Sequence, residues 1–133
     1  MEAGDVHEVT TGDCSDLYYL DTGMYDTNEY GAVYIIDDDR PAVVDTGIGT
    51  NYDLVQEALA EVGIGEDDLE VIALTHIHLD HAGGAGFLAA ETDADVYVHE
   101  KGAKFLSDPD AIWEGTKSAV GEQIEYYTKP KPV

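Results

Sequence analysis

Three of the five histidines in this chain lie within six residues, beside an aspartate, in the run His76-Ile77-His78-Leu79-Asp80-His81. Imidazole nitrogens and carboxylate oxygens are ligands that suit zinc and its neighbours in the first transition row. Four such groups exceed what one tetrahedral ion needs when a position is kept for water. The run therefore predicts a metal site, in preference to a histidine-rich turn held by ordinary hydrogen bonds.

The spacing of the four side chains suggests how they divide between ions. We assign His76 and His78 to one metal ion, and Asp80 and His81 to a second. Two ions roughly 3.5–4 Å apart can hold a hydroxide between them and polarise a substrate oxygen.

The flanking sequence indicates which elements position the ligands. The apolar run 71–74 is bounded by turns, as is typical of a buried strand. Side chains alternate along an extended segment, so His76, His78 and Asp80 would lie on one side of it. His81 would fall on the turn that opens a helix over 83–90.

Earlier and later segments predict an alternation of strands and helices. A short polar turn at 38–41 joins two apolar runs, which indicates an antiparallel hairpin. The order strand, helix, strand, metal loop, helix favours an α/β architecture. The predicted strands are 6–11, 17–20, 31–37, 42–45, 71–74 and 95–99, and the predicted helices are 51–61, 83–90, 101–106 and one starting near 108–110.

Residues 75–84, Thr-His-Ile-His-Leu-Asp-His-Ala-Gly-Gly, resemble the signature of the metallo-β-lactamase-fold, glyoxalase II-like hydrolases. The upstream run 43–47, Val-Val-Asp-Thr-Gly, is similar to a strand motif of the same superfamily. This resemblance implies an αββα sandwich, a mixed sheet with flanking helices, and a two-metal hydrolase. It places His76, His78, Asp80 and His81 at metal-ligand positions, and Asp45 at a position that supports the ligand loop from behind.

The chain departs from this family pattern in its second half. Family members carry a further histidine, a bridging aspartate and a last histidine downstream, yet no histidine follows His99. His99 itself is expected to be a neighbour or surface residue, with a ligand role as the alternative. We therefore expect 1–133 to form a single partial domain, the N-terminal half of the sandwich. Residues 121–133 would begin a linker or a truncated remainder.

Half a sandwich would leave one sheet face uncovered, and an exposed apolar face is a candidate interaction surface. We expect two copies of the chain to pair through this face. The resemblance implies that a metal-bound hydroxide attacks an ester, thioester or lactone carbon, with Asp80 as the catalytic residue that orients the hydroxide. The implied cofactor is two Zn²⁺ ions, although iron and manganese suit the same ligands.

Two other functions share the histidine motif. One is a mononuclear iron enzyme similar to persulfide dioxygenases. The other is a non-catalytic module that keeps the half-site and binds another chain. Bound iron with oxygen uptake would identify the first, whereas a monomeric and active preparation would exclude the second.

The strongly negative net charge indicates which kinds of binding partner, and which salt conditions, suit this protein. Against 29 acidic residues stand 6 basic ones, giving a formal net charge of −23. Such a field repels phosphate backbones and anionic membranes, so we expect a small-molecule substrate and neither nucleic acid nor membrane. Dispersed acids with few lysines resemble the proteins of salt-accumulating halophiles. With no signal-like segment or membrane-spanning run, and one cysteine, Cys14, we expect a cytoplasmic protein without an internal disulfide.

Overall fold

The chain folds around one mixed β-sheet, as seen in a computed structural model that describes residues 2–133. These residues form six strands and five α-helices, with short 3₁₀ turns at Met24–Asp26, Gly49–Asn51 and Gly121–Tyr126. The strands are β1 (Val6–Glu8), β2 (Leu17–Asp21), β3 (Ala32–Ile36), β4 (Ala42–Val44), β5 (Val71–Ala73) and β6 (Asp95–Tyr97). The helices are α1 (Tyr52–Glu61), α2 (Leu79–Ala82), α3 (Ala85–Glu91), α4 (Glu100–Ser107) and α5 (Asp110–Val120).

The strands lie in the sheet in the same order as in the chain. The first three pairings, from β1 to β4, are antiparallel, because short turns join these strands. The pairings of β4 with β5 and of β5 with β6 are parallel, because a helix crosses over between the strands. This is the mixed sheet with flanking helices that the sequence predicted.

The hydrophobic core lies on one face of the sheet. Ile35, Val43 and Ile72, from β3, β4 and β5, are completely buried. Val55 of α1 and Leu88 of α3 belong to the same buried cluster. The apolar positions of α1 fall at helical spacing, so one stripe of that helix covers the sheet.

The opposite face of the sheet, which we call the outer face, is apolar but exposed. One row of directly paired residues crosses all six strands on this face, and its members are His7, Tyr19, Tyr34, Val44, Ala73 and Tyr97. Tyr34 is 44% exposed and Tyr97 is 47% exposed. No acidic residue occurs in the row, although the chain is strongly acidic. Pairing of two copies through this face stays a prediction.

The segment that carries the predicted ligands differs from the expectation in one respect. It was expected to remain extended as far as Asp80, but the backbone turns into α2 at Leu79. The amides of His81 and Ala82 both donate to the His78 carbonyl, at 2.9 and 2.8 Å, which closes a helical turn. Asp80 therefore leaves the strand-like alternation and lies on the helical turn beside His81.

Residues 121–133, which the sequence suggested as the start of a linker, pack back on the fold. Thr50 donates a hydrogen bond to the Tyr126 carbonyl at 2.7 Å. The amide of Val133 donates to the Leu106 carbonyl at 3.0 Å, and Pro130 is buried. No helix within residues 2–133 has the length and apolar character needed to cross a membrane.

We expect the two sheet faces to respond differently to the same truncation. Ile72 is fully buried, so Ile72→Ala should lower the free energy of unfolding by about 2–5 kcal/mol. The matched control is Ile36→Ala on the outer face, where the side chain is already 37% exposed, and its loss should stay within about 1 kcal/mol. Urea unfolding in molar KCl measures both values. Equal losses would contradict this assignment of the core.

Candidate metal centre

The centre forms where the parallel strands β4 and β5 end side by side. Asp45 follows β4 directly, and Leu74, Thr75 and His76 follow β5. Since both strands run in the same direction, their carboxyl ends meet at one edge of the sheet. The amide of Asp45 also donates to the Ala73 carbonyl at 2.7 Å, which continues the pairing by one step.

Asp45 is the buried anchor of this edge. Its carboxylate accepts the Thr75 amide at 2.9 Å and the Thr75 hydroxyl at 2.9 and 3.0 Å. It also accepts His81 Nδ1 at 3.1 Å. The residue is only 6% exposed and adopts the left-handed conformation with φ of 65°. Aspartate tolerates that region better than most residues, and the hydrogen bonds hold it there.

These hydrogen bonds fix the ring nitrogens of two histidines. A carboxylate can only accept, so His81 carries its proton on Nδ1 and presents the lone pair of Nε2. The Thr75 hydroxyl has a single hydrogen, which it gives to Asp45. It therefore accepts from His76 Nδ1, which lies 2.9 Å away, and His76 also presents Nε2. Asp45 thus fixes the tautomer of His81 directly and that of His76 through Thr75.

Thr46 joins the same strand end to the helical turn. Its amide donates to the His81 carbonyl at 2.8 Å, and its hydroxyl donates to the same carbonyl at 2.9 Å. The hydroxyl also accepts the Gly84 amide at 3.0 Å. The threonine is 1% exposed, so these bonds are shielded from water.

Two glycines allow the loops to approach closely behind the centre. A Cβ at Gly83 would lie 2.8 Å from the Gly49 nitrogen and would also clash with the Leu79 carbonyl oxygen. A Cβ at Gly49 would lie 2.7 Å from the Gly83 carbonyl oxygen. Both positions therefore require the absence of a side chain.

Three of the four predicted ligands form a compact cluster. Ligand atoms of His76, Asp80 and His81 all lie within 4.8 Å of one another. His81 Nε2 is 3.4 Å from an oxygen of Asp80, and both side chains are about one-third exposed. Two imidazoles with their protons fixed away from the cluster and one carboxylate fit a divalent transition metal ion.

The fourth predicted ligand, His78, lies beside this cluster. The centroid of its ring is 5.0 Å from that of His76, and His81 lies closer to His76, at 4.3 Å. The division of the ligands between two ions, with His78 paired to His76, stays a prediction. His99 is an exposed residue at the start of α4, where its Nδ1 accepts the Lys101 amide at 3.1 Å.

Some residues at the centre carry roles that the sequence did not reveal. Thr75 and Thr46 belong to the two quoted motifs, but only their hydrogen bonds identify what they do. From its sequence, the turn-rich loop that carries Met24 and Tyr25 is expected to be an exposed hairpin loop, with a position over the substrate as the alternative. Instead Met24 is buried, and both residues line a cleft beside His78 and Asp80. The concentration of tyrosines in this loop and near 126–127 is the one sequence signal that pointed to it.

Fold and centre together define a metal-dependent hydrolase-like family. The chain matches the metallo-beta-lactamase superfamily over residues 26–133 and belongs to it. The whole described chain is similar to the MIM-2 metallo-beta-lactamase, with a TM-score of 0.70 and 21% identity over 99% of this chain and 43% of that one. BJP-1, a subclass B3 metallo-beta-lactamase of Bradyrhizobium japonicum, gives a TM-score of 0.59 and 27% identity over 69% and 33% of the two chains.

Two bacterial proteins are similar in sequence. Exodeoxyribonuclease WalJ of Streptococcus pneumoniae serotype 2 (strain D39) is 34% identical over 93 residues, which cover 70% of this chain and 28% of that protein. Probable metallo-hydrolase YybB of Bacillus subtilis (strain 168) is 34% identical over 74 residues, covering 56% and 32%. The matched part of the chain spans less than a third of each of these relatives.

The hydrogen bonds of Asp45 predict a measurable effect on metal affinity. Asp45→Asn removes the carboxylate that fixes His81 and, through Thr75, His76, so zinc affinity should fall about 10–100-fold. Thr75→Val should cause a smaller loss because it releases His76 alone. The control, Asp53→Asn on exposed α1, removes the same charge away from the centre. Competition with a chelator dye measures all three variants, and an unchanged affinity for Asp45→Asn would refute this role.

Proposed function

We propose that this chain provides the metal-binding half of a hydrolase that acts on esters, thioesters or lactones. The observation that supports the proposal most strongly is the cluster of His76, Asp80 and His81, with two imidazoles fixed by Asp45, at the side of a cleft. His76, His78, Asp80 and His81 would hold one or two divalent ions, for which zinc is our first choice. Such an ion, when bound, acidifies water and polarises a substrate carbonyl oxygen.

The chain's own groups would prepare the reaction in three ways. Asp45 holds Nδ1 of His81 directly and Nδ1 of His76 through Thr75, which leaves Nε2 of each ring as the atom that could bind a metal ion. Asp80 lines both the cluster and the cleft, so its carboxylate can accept a hydrogen bond from the attacking water and orient it. Thr46 holds the backbone of His81 while the side chains act.

A mononuclear iron enzyme of the persulfide dioxygenase type is an alternative with the same ligands. Imidazole and carboxylate accept iron as well as zinc, so the ligand types do not separate the two proposals. Iron bound after purification, together with oxygen uptake in the presence of a persulfide, would favour this alternative over the hydrolase.

Similarity to exodeoxyribonuclease WalJ favours a second candidate, hydrolysis of a phosphodiester in DNA. Charge argues against it, because a net charge of −23 repels the phosphate backbone. The chain has only 6 lysines and arginines to offset this repulsion. We therefore rank a small uncharged substrate above nucleic acid.

The role of Asp80 can be tested by substitution. Asp80→Ala should lower turnover of aryl esters, thioesters or lactones by about 10²–10⁴-fold, because water loses its orienting carboxylate. Asp93→Ala, at an exposed position after α3, should leave turnover unchanged. The assay uses the chain purified in molar KCl and supplied with zinc. Turnover that survives in Asp80→Ala would overturn the assignment.

The same preparation separates the other candidates. Metal-dependent degradation of DNA without ester turnover would favour the nuclease. Metal binding without turnover of any of these substrates would favour a non-catalytic binding module. Loss of all turnover after treatment with a chelator, and its return with zinc, is the result expected for the hydrolase.

We also propose that the protein works in a salt-rich cytoplasm. The acids are dispersed along the chain, so their mutual repulsion destabilises the compact state at low ionic strength. At molar salt the Debye length falls to about 3 Å, and this repulsion is screened. The scarcity of basic residues leaves most of the acids without a partner of opposite charge.

This proposal predicts a steep dependence of stability on salt. The melting temperature should rise by several degrees between about 0.1 M and 2 M KCl. Most of the rise should occur at the lower salt concentrations, where the Debye length is still longer than the distance between neighbouring surface charges. Calorimetry in a KCl series measures the change, with sucrose at equal osmolality as the control for exclusion effects. Equal melting temperatures in low and high KCl would contradict adaptation to salt.

A further inference from the structure

A cleft of about 380 Å³ opens directly beside the metal centre. One side is formed by His78 and Asp80 at the start of α2, and the other by the turn that carries Met24 and Tyr25. The third wall comes from α5 and Tyr127. At roughly 30 Å³ per water molecule, the cleft has room for about a dozen waters, or for an aryl ring with a short chain.

Helix α5 presents an apolar side to this cleft. Ile112, Ala119 and Val120 line it, together with the small residues Gly115 and Thr116. None of the eleven residues of α5 is fully buried, although the helix lies against α2 and α4. An apolar helix side that residues 2–133 leave unburied is suited to a ligand that completes the packing.

A pair of tyrosines supplies the polar part of the cleft. The hydroxyl oxygens of Tyr25 and Tyr127 are 2.6 Å apart. Their rings meet edge to face, with centroids 5.8 Å apart, and the rings of Tyr30 and Tyr126 also contact Tyr25. One hydroxyl donates to the other, so one O–H of the pair is left to donate. Within the described residues it has no other partner.

The backbone at Tyr25 is strained. Tyr25 and Asp26 have φ angles of 56° and 53°, in the left-handed region that side chains rarely adopt. The amide of Asp26 donates to Gly23 and that of Thr27 donates to Met24, each at 3.0 Å, which holds the turn. Such strain costs of order 1–3 kcal/mol and is concentrated at functional sites. Here it directs the Tyr25 ring toward Tyr127.

Tyr127 remains a neutral hydroxyl at physiological pH. Burial raises the pKa of Tyr127 well above its ordinary value, and the hydrogen bond between the Tyr127 and Tyr25 hydroxyls adds to the rise. The nearby carboxylate of Asp80 acts in the same direction.

We propose that the Tyr25–Tyr127 pair and the apolar side of α5 form a recognition site for an uncharged substrate with an aryl or similarly sized apolar group. The pair would donate to an oxygen of the substrate, while the apolar group lies along Ile112 and Val120. The reacting carbon would then face Asp80. The substrate class rests on the proposed hydrolase, whereas the recognition site itself rests on the cleft.

In the metal-free protein, charge disfavours the binding of anionic ligands at this site. The residues that line the cleft include no lysine or arginine, and Asp80 is one of them. Without a bound metal ion, a carboxylate group on the ligand would meet Asp80 with no cation to balance it, inside a chain of net charge −23.

Binding to chelator-treated protein tests the proposal without any need for turnover. Calorimetric titration in molar KCl would compare N-benzylacetamide, which carries an uncharged amide and an aryl group, with N-methylacetamide and phenylpropionate. We expect binding of N-benzylacetamide alone, or at least tenfold tighter than that of either other probe. Equal binding of phenylpropionate or N-methylacetamide would overturn the proposal, as would no binding of N-benzylacetamide.

Substitution then locates the site. The double variant Tyr25→Phe/Tyr127→Phe keeps both rings and loses the hydroxyls, so its Kd for N-benzylacetamide should rise about 5–10-fold. Tyr34→Phe, on the outer face, removes a hydroxyl from a residue that does not line the cleft and should bind like the unmodified chain. Ile112→Asp, at a half-buried position of α5 that lines the cleft, should abolish binding while circular dichroism stays unchanged.

The outcomes distinguish this inference from the proposed function. Tight binding that is sensitive to Tyr25 and Tyr127, without ester turnover, supports the recognition site and counts against the hydrolase. Ester turnover with a Kd unchanged in the double variant counts against the recognition site and leaves the hydrolase standing.

Discussion

The carboxylate of Asp45 joins the end of β4 to two histidines of the metal centre, His81 directly and His76 through Thr75. It is buried, it ends β4, and it accepts hydrogen bonds from Thr75 and His81 on the loop that follows β5. A buried carboxylate is costly unless its oxygens are satisfied, and here backbone, hydroxyl and imidazole donors satisfy them. The ligand loop therefore cannot move without leaving a buried charge unpaired. The tautomers of two histidines follow from the same requirement.

Stability and chemistry are divided between the two sides of this anchor. Behind it lie the apolar face of the sheet and the helices α1 and α3, which give the edge a rigid base. In front of it lie His76, Asp80 and His81, all at least partly exposed to solvent. The cleft continues this division, since its apolar wall and its tyrosine pair lie beyond the ligands. The residues that stabilise the fold and the residues that could bind metal or substrate thus lie on opposite sides of Asp45.

The sequence predicted the fold and the ligand motif well because both depend on local patterns. Apolar runs, glycine turns and the spacing of the α1 residues are sufficient to place the strands and helices within a few positions, and membership of the family confirms the architecture. The prediction that the backbone stays extended past Leu79 was wrong, because an H-x-H-x-D-H pattern fits a strand as well as a helical turn. Only the hydrogen bonds to the His78 carbonyl decide between them.

The roles of Thr75, Tyr25 and Tyr127 could not be predicted, for a different reason. The Tyr25–Tyr127 contact joins residues far apart in the chain, and its formation depends on how α5 and the following turn pack. A hydroxyl beside a histidine in sequence says nothing of which group donates. That direction follows only when the third partner, Asp45, is seen to accept alone. Long-range packing and donor direction are properties of the folded chain.

The contact between Gly49 and Gly83 has a consequence for how this protein can change over time. Neither glycine contacts a predicted metal ligand. A methyl group added at either one would nevertheless clash with the backbone of the other. Substitution at either position would push the 49–51 turn away from the end of α2 and so shift His81 from behind. In a survey of random variants these two positions should tolerate change as poorly as the histidines do. If both glycines were invariant among variants that still fold, the reason would be this close backbone contact and not a role in catalysis.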